Sequence, residues 1–365
     1  MQNKINVLIV DDSAFSRQSI KNMLSGESDI EVIGIASNGM EAMTKTVKLR
    51  PDVITLDLEM PEMDGFTFLR WLMKERPTPV IIVSSYSDSK TLFKALELGA
   101  VDFVVKPSRK ATIEFRNIKS DLLDKIRGIK DLKLEKLVVR SALISKTPGV
   151  IDIGPNRRKE YAPSNIEVVA IGASTGGPAA LQIVLTSLPP NFPAALLITQ
   201  HMPKGFTRTF AERLNRISPL YIKEAEDGDL VQAGKALICP GGAHMVVKRR
   251  NNSTKVFLKE PSSGDSYIPS VDLLLSSTAD VFGSSSIGVI LTGMGNDGKE
   301  GIVEIKRKGG YTIAEAESTA VIFGMPQEAI KTGLVDKVLP LNEIPEEITT
   351  MVMSRKDKAW KKNMA

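Results

Sequence analysis

Three residues in the second half of the chain have the types that a serine hydrolase needs. Ser174 stands in Gly172-Ala173-Ser174-Thr175-Gly176-Gly177-Pro178, directly after the apolar run EVVAIG (167–172). A glycine-rich turn between a strand and a helix exposes backbone N–H groups at the helix N-terminus. That suits two chemistries. One is the cradling of a phosphate. The other is a nucleophile elbow, for which Gly-x-Ser-x-Gly is the literal pattern. The turn lacks the Gly-x-Gly-x-x-Gly spacing, and no lysine follows as in a P-loop. His201 follows the next apolar run, in TQHMP (199–203), and Asp297 follows the most apolar one, in LTGMGNDG (291–298). A serine hydroxyl is a poor nucleophile until a base takes its proton. His201 can take that proton near neutral pH, and Asp297 can orient it and stabilise its cation. The chain order Ser…His…Asp differs from those of the α/β-hydrolases, chymotrypsin and subtilisin. Each residue alone also has a blander reading: a helix cap, a loop histidine, a turn aspartate.

His244, in PGGAHM (240–245), competes with His201 as the base. It opens an apparent strand and no acid is evident for it, so it reads as structural or substrate-lining. Cys239 lies in an apolar run with no electropositive signature and reads as buried and inert.

A second constellation lies near the start. Asp11 and Asp12 follow the apolar run INVLIV, and Asp57 ends DVITLD (52–57). Three carboxylates meeting at one sheet edge repel one another, and a bound cation relieves that repulsion. Oxygen ligands favour Mg²⁺, which also binds phosphate oxygens. Ser84 and Lys106 end two further apolar runs and can hold the oxygens of a phosphoryl group carried by Asp57.

The elements that must position these residues are strands alternating with amphipathic stretches. Residues 5–10, 30–36, 52–57, 79–84 and 101–105 read as strands covered on both faces. Helical spacing lies between them, as in Phe15/Ile20/Met23/Leu24 and Phe66/Leu69/Leu72/Met73. Five such units predict a doubly wound (βα)5 domain. Helical periodicity continues over 112–140. Residues 141–165, with Pro148, Gly149, Gly154, Pro155 and Pro163, read as a linker. Further strands are predicted at 167–172, 194–199, 235–240, 244–248, 255–259, 287–293 and 311–315, giving a second, mainly parallel α/β domain. The division is then 1–125, a helical extension and linker over 126–165, a domain over 166–350 and a basic tail over 351–365.

The chain has 365 residues, one cysteine and two histidines, which excludes an internal disulfide framework and a Cys-based or multi-His zinc site. No run approaches the ~20 apolar residues of a membrane span, so direct membrane insertion is not expected and the cytoplasm is the expected location. The net charge of +5 does not sit on a predicted domain. Residues 1–110 hold 14 Lys/Arg against 15 Asp/Glu, residues 111–165 hold 12 against 7, and residues 166–365 hold 22 against 21. The excess lies in the connector and the tail, so nucleic acid is not an expected partner.

Residues 1–110 resemble a response-regulator receiver domain in IVDDS (9–13), MPEMDG (60–65), VSS (83–85), ALELGAVDF (95–103) and Lys106-Pro107. The resemblance implies that Asp57 accepts phosphate from a chemotaxis histidine kinase. It implies Mg²⁺ on Asp12, Asp57 and the backbone of Glu59, with Asp11 acting largely through water. Ser84, Phe103 and Lys106 would form the switch. With IGASTGGP (171–178), QHMP (200–203), LTGMGNDG (291–298), AESTAVIFGMP (316–326) and VLPLNEIP (338–345), residues 1–350 resemble the chemotaxis protein-glutamate methylesterases. That resemblance implies the triad Ser174, His201 and Asp297, with the N–H of Thr175 and Met294 binding the oxyanion. It also implies a phosphorylation-regulated esterase acting on methyl-accepting chemotaxis receptors without a cofactor for the ester reaction. Deamidation of glutamine is open to the same acyl chemistry. In YIPSVD (267–272) Ile268 stands where the family more often has a basic residue. The alternative is a receiver-regulated nucleotide- or phosphate-binding module without esterase activity.

Overall fold

The protein's computed structural model describes residues 4–84, 89–106, 112–129, 132, 161–163, 165–251 and 253–355. Contacts divide the chain into two compact units, Met1–Ala142 and Leu143–Ala365. Pro107 and most of the segment read as a linker, including its prolines at 148 and 155, lie outside the described residues.

In the first unit the chain runs β1 (Ile5–Val10), α1 (Ala14–Leu24), β2 (Ile30–Ala36), α2 (Gly39–Leu49), β3 (Val53–Leu56), α3 (Gly65–Glu75), β4 (Val80–Ser84), α4 (Ser89–Glu97), β5 (Asp102–Val105) and α5 (Thr112–Ile129). The strands form one parallel sheet in the order β2-β1-β3-β4-β5. The chain begins at β1, steps outward to β2 and returns on the other side through β3. The crevice between the carboxyl ends of β1 and β3 is therefore a topological switch point. The inner strands are wrapped on both faces, with β3 buried throughout, whereas the edge strand β2 is covered on one face only and leaves Glu31 and Ile35 exposed, which corrects the reading of 30–36 as covered on both. The helices turn their periodic residues inward, with two differences from the sequence reading. Phe15 is 40% exposed, while Ile20, Met23 and Leu24 are buried. In α3 the core position belongs to Phe68 rather than Phe66. The Asp64 carboxylate caps Thr67 N–H and so fixes where the helix begins.

The second unit runs β6 (Tyr161–Pro163), β7 (Val168–Ala173), α6 (Gly177–Ser187), β8 (Ala195–Gln200), α7 (Thr207–Ile217), β9 (Tyr221–Glu224), β10 (Lys235–Ile238), β11 (His244–Arg250), β12 (Ser253–Lys259) and α8 (Val271–Phe282). It continues with β13 (Ser286–Ile290), α9 (Lys299–Arg307), β14 (Tyr311–Glu315), α10 (Met325–Lys331), β15 (Lys337–Leu339), α11 (Ile344–Val352) and β16 (Met353–Arg355). Seven strands form a parallel sheet in the order β15-β14-β13-β7-β8-β10-β9. The switch point here lies between β7 and β13. The hairpin β11–β12 stands outside the large sheet, and β6, inside the segment read as linker, pairs antiparallel with β16.

The centre of this unit is strongly apolar. Every residue of β7, β8 and β13 is buried. One core cluster ties Val168, Ala170 and Leu197 of the sheet to Leu274 and Leu275 of α8, to Ile302 and Ile305 of α9, and to Met245 and Val256 of the hairpin. Among the described residues no helix is long and apolar enough to cross a membrane.

Leu197 is fully buried in β8. Leu197→Ala should destabilise the second unit by about 2–5 kcal/mol, because the rigid sheet around it cannot close the cavity. Urea denaturation followed by circular dichroism should show this as a lower midpoint with an unchanged slope.

Candidate functional site

Ser174 and His201 are neighbours because their strands are. Ala173 pairs with Gln200 at the end of the β7–β8 ladder, and the two residues of interest come next. His201 N–H donates to Ala173 O at 3.0 Å, and the Gln200 side-chain amide donates to Ser174 O at 2.9 Å. Ser174 is half-buried and open to solvent on one side. Its own N–H donates to Thr292 O at 3.0 Å, which draws the loop after β13 across the switch point. Gly293 makes that approach possible. A Cβ there would lie 2.7 Å from Ser174 Cβ and 2.4 Å from Met325 Sδ.

Asp297 ends this loop and is 2% exposed. Its Oδ2 lies 2.8 Å from His201 Nε2 and accepts Val271 N–H at 2.7 Å. Its Oδ1 accepts Asp272 N–H at 2.9 Å and the Ser270 hydroxyl at 3.2 Å. The carboxylate thus sits at the N-terminus of α8, where unpaired N–H groups favour negative charge. Burial alone would raise its pKa. The bond and charge of His201, with the N–H groups of Val271 and Asp272, outweigh burial and hold it below the usual carboxylate range. An ionised acceptor at Nε2 fixes the ring proton there. Nδ1 is left as the basic nitrogen, and it has no partner among the described residues.

Beside Ser174 the helix α6 begins without a side-chain cap, at Gly176 in the left-handed conformation. Among the described residues the N–H groups of Thr175 and Met294 donate to no acceptor. Two backbone donors without partners thus lie near Ser174, an arrangement that could receive a negatively charged oxygen. Thr175 O accepts the buried hydroxyl of Thr292 and so is tied to the same loop.

Two contacts were not legible in the sequence. The Tyr267 ring stacks on His201, with centroids 5.2 Å apart and planes 8° apart. Its hydroxyl lies 3.0 Å from Asn296 Oδ1 and 3.4 Å from Asn296 N, beside Asp297. His244 does have an acid: its Nε2 lies 2.9 Å from Asp265 Oδ2, which corrects the sequence reading. The polar run SSGDS carries no periodic signal that would have singled out Asp265. Cys239 is fully buried, and burial pushes its thiol up to about 12, so it carries no thiolate at neutral pH.

In the first unit, Asp11 and Asp12 leave β1 and Asp57 leaves β3, so the three flank the switch point. One ligand oxygen from each lies within 4.8 Å of the others. Asp11 is buried, with Oδ1 accepting Ser13 N–H at 2.8 Å and Oδ2 accepting the Ser16 hydroxyl at 2.7 Å. Lys106 Nζ lies 2.5 Å from Asp57 Oδ2 and 3.5 Å from Asp11 Oδ2. Glu59 N–H reaches Asp57 Oδ1 only at 3.4 Å. Burial, with the charge of Asp11 added, outweighs Lys106 and pushes the Asp57 carboxyl up to about 6. Hard oxygen donors around one ammonium fit a divalent cation of the Mg²⁺ type. Ser84 pairs with Val105 at the end of β4, and Phe103 is buried in β5 with Lys125 Nζ 5.3 Å from its ring centroid.

Comparison with known proteins follows the two units. The CheB methylesterase family matches residues 169–348, and the response regulator receiver domain matches residues 7–116. Protein-glutamate methylesterase/protein-glutamine glutaminase 3 of Geobacter sulfurreducens is 51% identical, over 94% of this chain and 96% of the relative. The enzyme of that name from Pyrococcus abyssi is 43% identical, over 96% of this chain and 94% of the relative. The solved catalytic domain of the Thermotoga maritima CheB methylesterase is 44% identical with a TM-score of 0.50, covering 51% of this chain and 99% of that domain.

Gly293→Ala should lower ester hydrolysis by ~100-fold, since misplacing a nucleophile by about 1 Å costs that much. Turnover measured beside a thermal melt separates this from unfolding. The Asp57 shift has a sign that can be tested. Its folded pKa is raised, so its stabilising contribution is full below about pH 4 and is lost as pH rises through about 6. At pH 7.5 with chelator, Asp57→Asn should stabilise the receiver by about 1–3 kcal/mol, and at pH 4 the gain should vanish. Thermal melts at both pH values measure it.

Proposed function

Since the chain belongs to the CheB methylesterase family, in the form with an N-terminal response-regulator receiver, we propose that Ser174, His201 and Asp297 hydrolyse γ-glutamyl methyl esters on the cytoplasmic helices of chemotaxis receptors. The observation that carries this reading is Asp297, buried and ionised on His201 Nε2, with Ser174 on the adjacent strand. Ser174 Oγ attacks the ester carbonyl and its proton passes to His201 Nδ1. The oxyanion is met by the N–H groups of Thr175 and Met294, worth ~3–4 kcal/mol each in comparable sites. The C–O bond to methoxide breaks, the imidazolium returns the proton, and methanol leaves. Water repeats the relay on the acyl-serine and releases glutamate. Glutamine deamidation follows the same steps with ammonia leaving. The ester reaction uses no cofactor in this scheme.

In the receiver, taken as residues 1–125 of the first unit, Asp57 is the phosphate acceptor and a chemotaxis histidine kinase the donor. Asp12, Asp57 and the backbone of Glu59 would hold Mg²⁺, with Asp11 acting through water. The ion would offset charge between the carboxylates and the incoming phosphoryl oxygens. Lys106, beside Asp57, would take one phosphoryl oxygen, and Ser84 and Phe103, on the paired strands β4 and β5, would complete the switch. The esterase is proposed over 166–350, while the segments read as connector (126–165) and tail (351–365) each give a strand to the second unit, since β6 pairs with β16. The cytoplasm is the compartment in which both partners are met.

Ser174→Ala should abolish fluorophosphonate labelling and lower methanol release from methylated receptor by ~10⁴–10⁶-fold with folding retained. Activity within tenfold of the unmutated chain removes Ser174 from the mechanism. Asp57→Asn should take up no phosphate from acetyl phosphate in Mg²⁺, and phosphodonor should then fail to change esterase rate. Stoichiometric phosphate on that variant places the acceptor elsewhere.

A further inference from the structure

A second imidazole lies behind the candidate site, joined to it by one backbone group. His244, the first residue of β11, is 2% exposed. Its Nε2 faces Asp265 Oδ2 at 2.9 Å, and its Nδ1 accepts Ser270 N–H at 3.1 Å. A ring nitrogen that accepts a backbone N–H carries no proton, so the ring is neutral and its one proton sits on Nε2, donated to Asp265. Both nitrogens are occupied and the ring is buried, so His244 is no rival to His201 as the base.

Ser270 is where the chain turns into the site. It is the N-cap of α8, accepting Leu273 N–H at 3.3 Å. Its hydroxyl donates to Asp297, and the next two N–H groups, of Val271 and Asp272, do the same. Three residues upstream, Tyr267 lies on the His201 ring. A shift of the Ser270 backbone would therefore disturb the donors that hold Asp297 and the ring that packs on His201.

We propose that His244 is a positioning residue of the esterase site. As a neutral hydrogen-bond acceptor held by Asp265, it keeps the Tyr267–Asp272 segment in the register that holds Asp297 and His201. The inference rests on the reading of Ser174, His201 and Asp297 as nucleophile, base and acid. It predicts a role for the Nδ1 lone pair, beyond the bulk of the ring.

The test is the rate at which a fluorophosphonate labels Ser174 in the full chain, with the labelled peptide identified by mass and folding followed by circular dichroism. Labelling of the unmutated chain at Ser174, and its loss in Ser174→Ala, tests the underlying triad reading by itself. His244→Leu keeps bulk but offers Ser270 no acceptor. His244→Asn offers Oδ1 close to the place of Nδ1. His244→Leu should slow labelling at least ~10-fold, and His244→Asn should restore it to within ~3-fold of the unmutated rate. On methylated receptor the loss in His244→Leu should fall on kcat, with KM unchanged. Labelling of a folded His244→Leu variant within twofold of the unmutated chain overturns the proposal. So does a folded His244→Asn variant as slow as His244→Leu. Should His244→Leu fail to fold, Asp265→Ala decides. That change at a surface loop frees the ring to rotate, so it should slow labelling several-fold, and an unchanged rate overturns the proposal.

Discussion

A carboxylate at the bottom of a parallel-sheet crevice must find hydrogen-bond donors or a cation, and both units of this chain are organised around how one aspartate meets that demand. Asp57 and Asp297 occupy matching places. Each follows a strand that borders a switch point, β3 in one sheet and β13 in the other, and each is nearly sealed from water. Their surroundings differ in the supply of donors. Asp297 receives two backbone N–H groups, a hydroxyl and an imidazole, and its pKa falls despite burial. Asp57 has one ammonium and one distant N–H, beside a second buried carboxylate, and its pKa rises to about 6. The same residue type at the same kind of place is held ionised in one unit and pushed toward protonation in the other.

Meeting the demand of Asp297 shapes the backbone around it. Helix α8 must begin against the loop after β13, so its first N–H groups are spent on that aspartate. The loop must then pass close over Ser174, which Gly293 alone makes sterically possible. Among the described residues the N–H groups of Thr175 and Met294, beside Ser174, have no acceptor. Donors held unpaired in a rigid frame stabilise developing charge without having to reorganise, which is the usual source of large catalytic effects. In this sense the unpaired donors near Ser174 go with the way Asp297 is held.

The long buried strands were legible in the sequence because a strand wrapped on both faces is a continuous apolar run. The residues directly following β1, β3, β7 and β8 were legible for the same reason, which is why Asp11, Asp57, Ser174 and His201 stood out. Short strands with mixed composition were not. Tyr221–Glu224 and Lys337–Leu339 carry charge and lie at the sheet edges, and Tyr161–Pro163 sits among turn-forming residues. Contacts made by irregular segments were also silent. Asp265 meets His244 across 21 residues, and Tyr267 meets His201 across a loop with no period. Such pairs are set by where α8 must start, which only the assembled sheet determines.

The contrast between the two aspartates also bears on which unit can switch. With Asp297 every lone pair has a partner, so changing its surroundings means breaking bonds inside the core. Around Asp57 the balance is uneven from the start. Asp11, Asp12 and Asp57 ionised carry three negative charges against the single ammonium of Lys106. On the proposed reading of Asp57 as phosphate acceptor, a divalent cation would bring that set close to neutral, and a phosphoryl group would add negative charge and acceptor oxygens at one atom of Asp57. Lys106 would then divide its donors between the carboxylates and the new oxygens. Phe103 lies in β5, which pairs with β4 at Ile82 and Ser84, so movement there is felt by a buried aromatic ring in a close-packed sheet. A site that begins short of donors is displaced by phosphate, while a saturated one is not. The donor-poor aspartate therefore suits a unit that responds to added charge, and the saturated one a unit whose geometry must stay still.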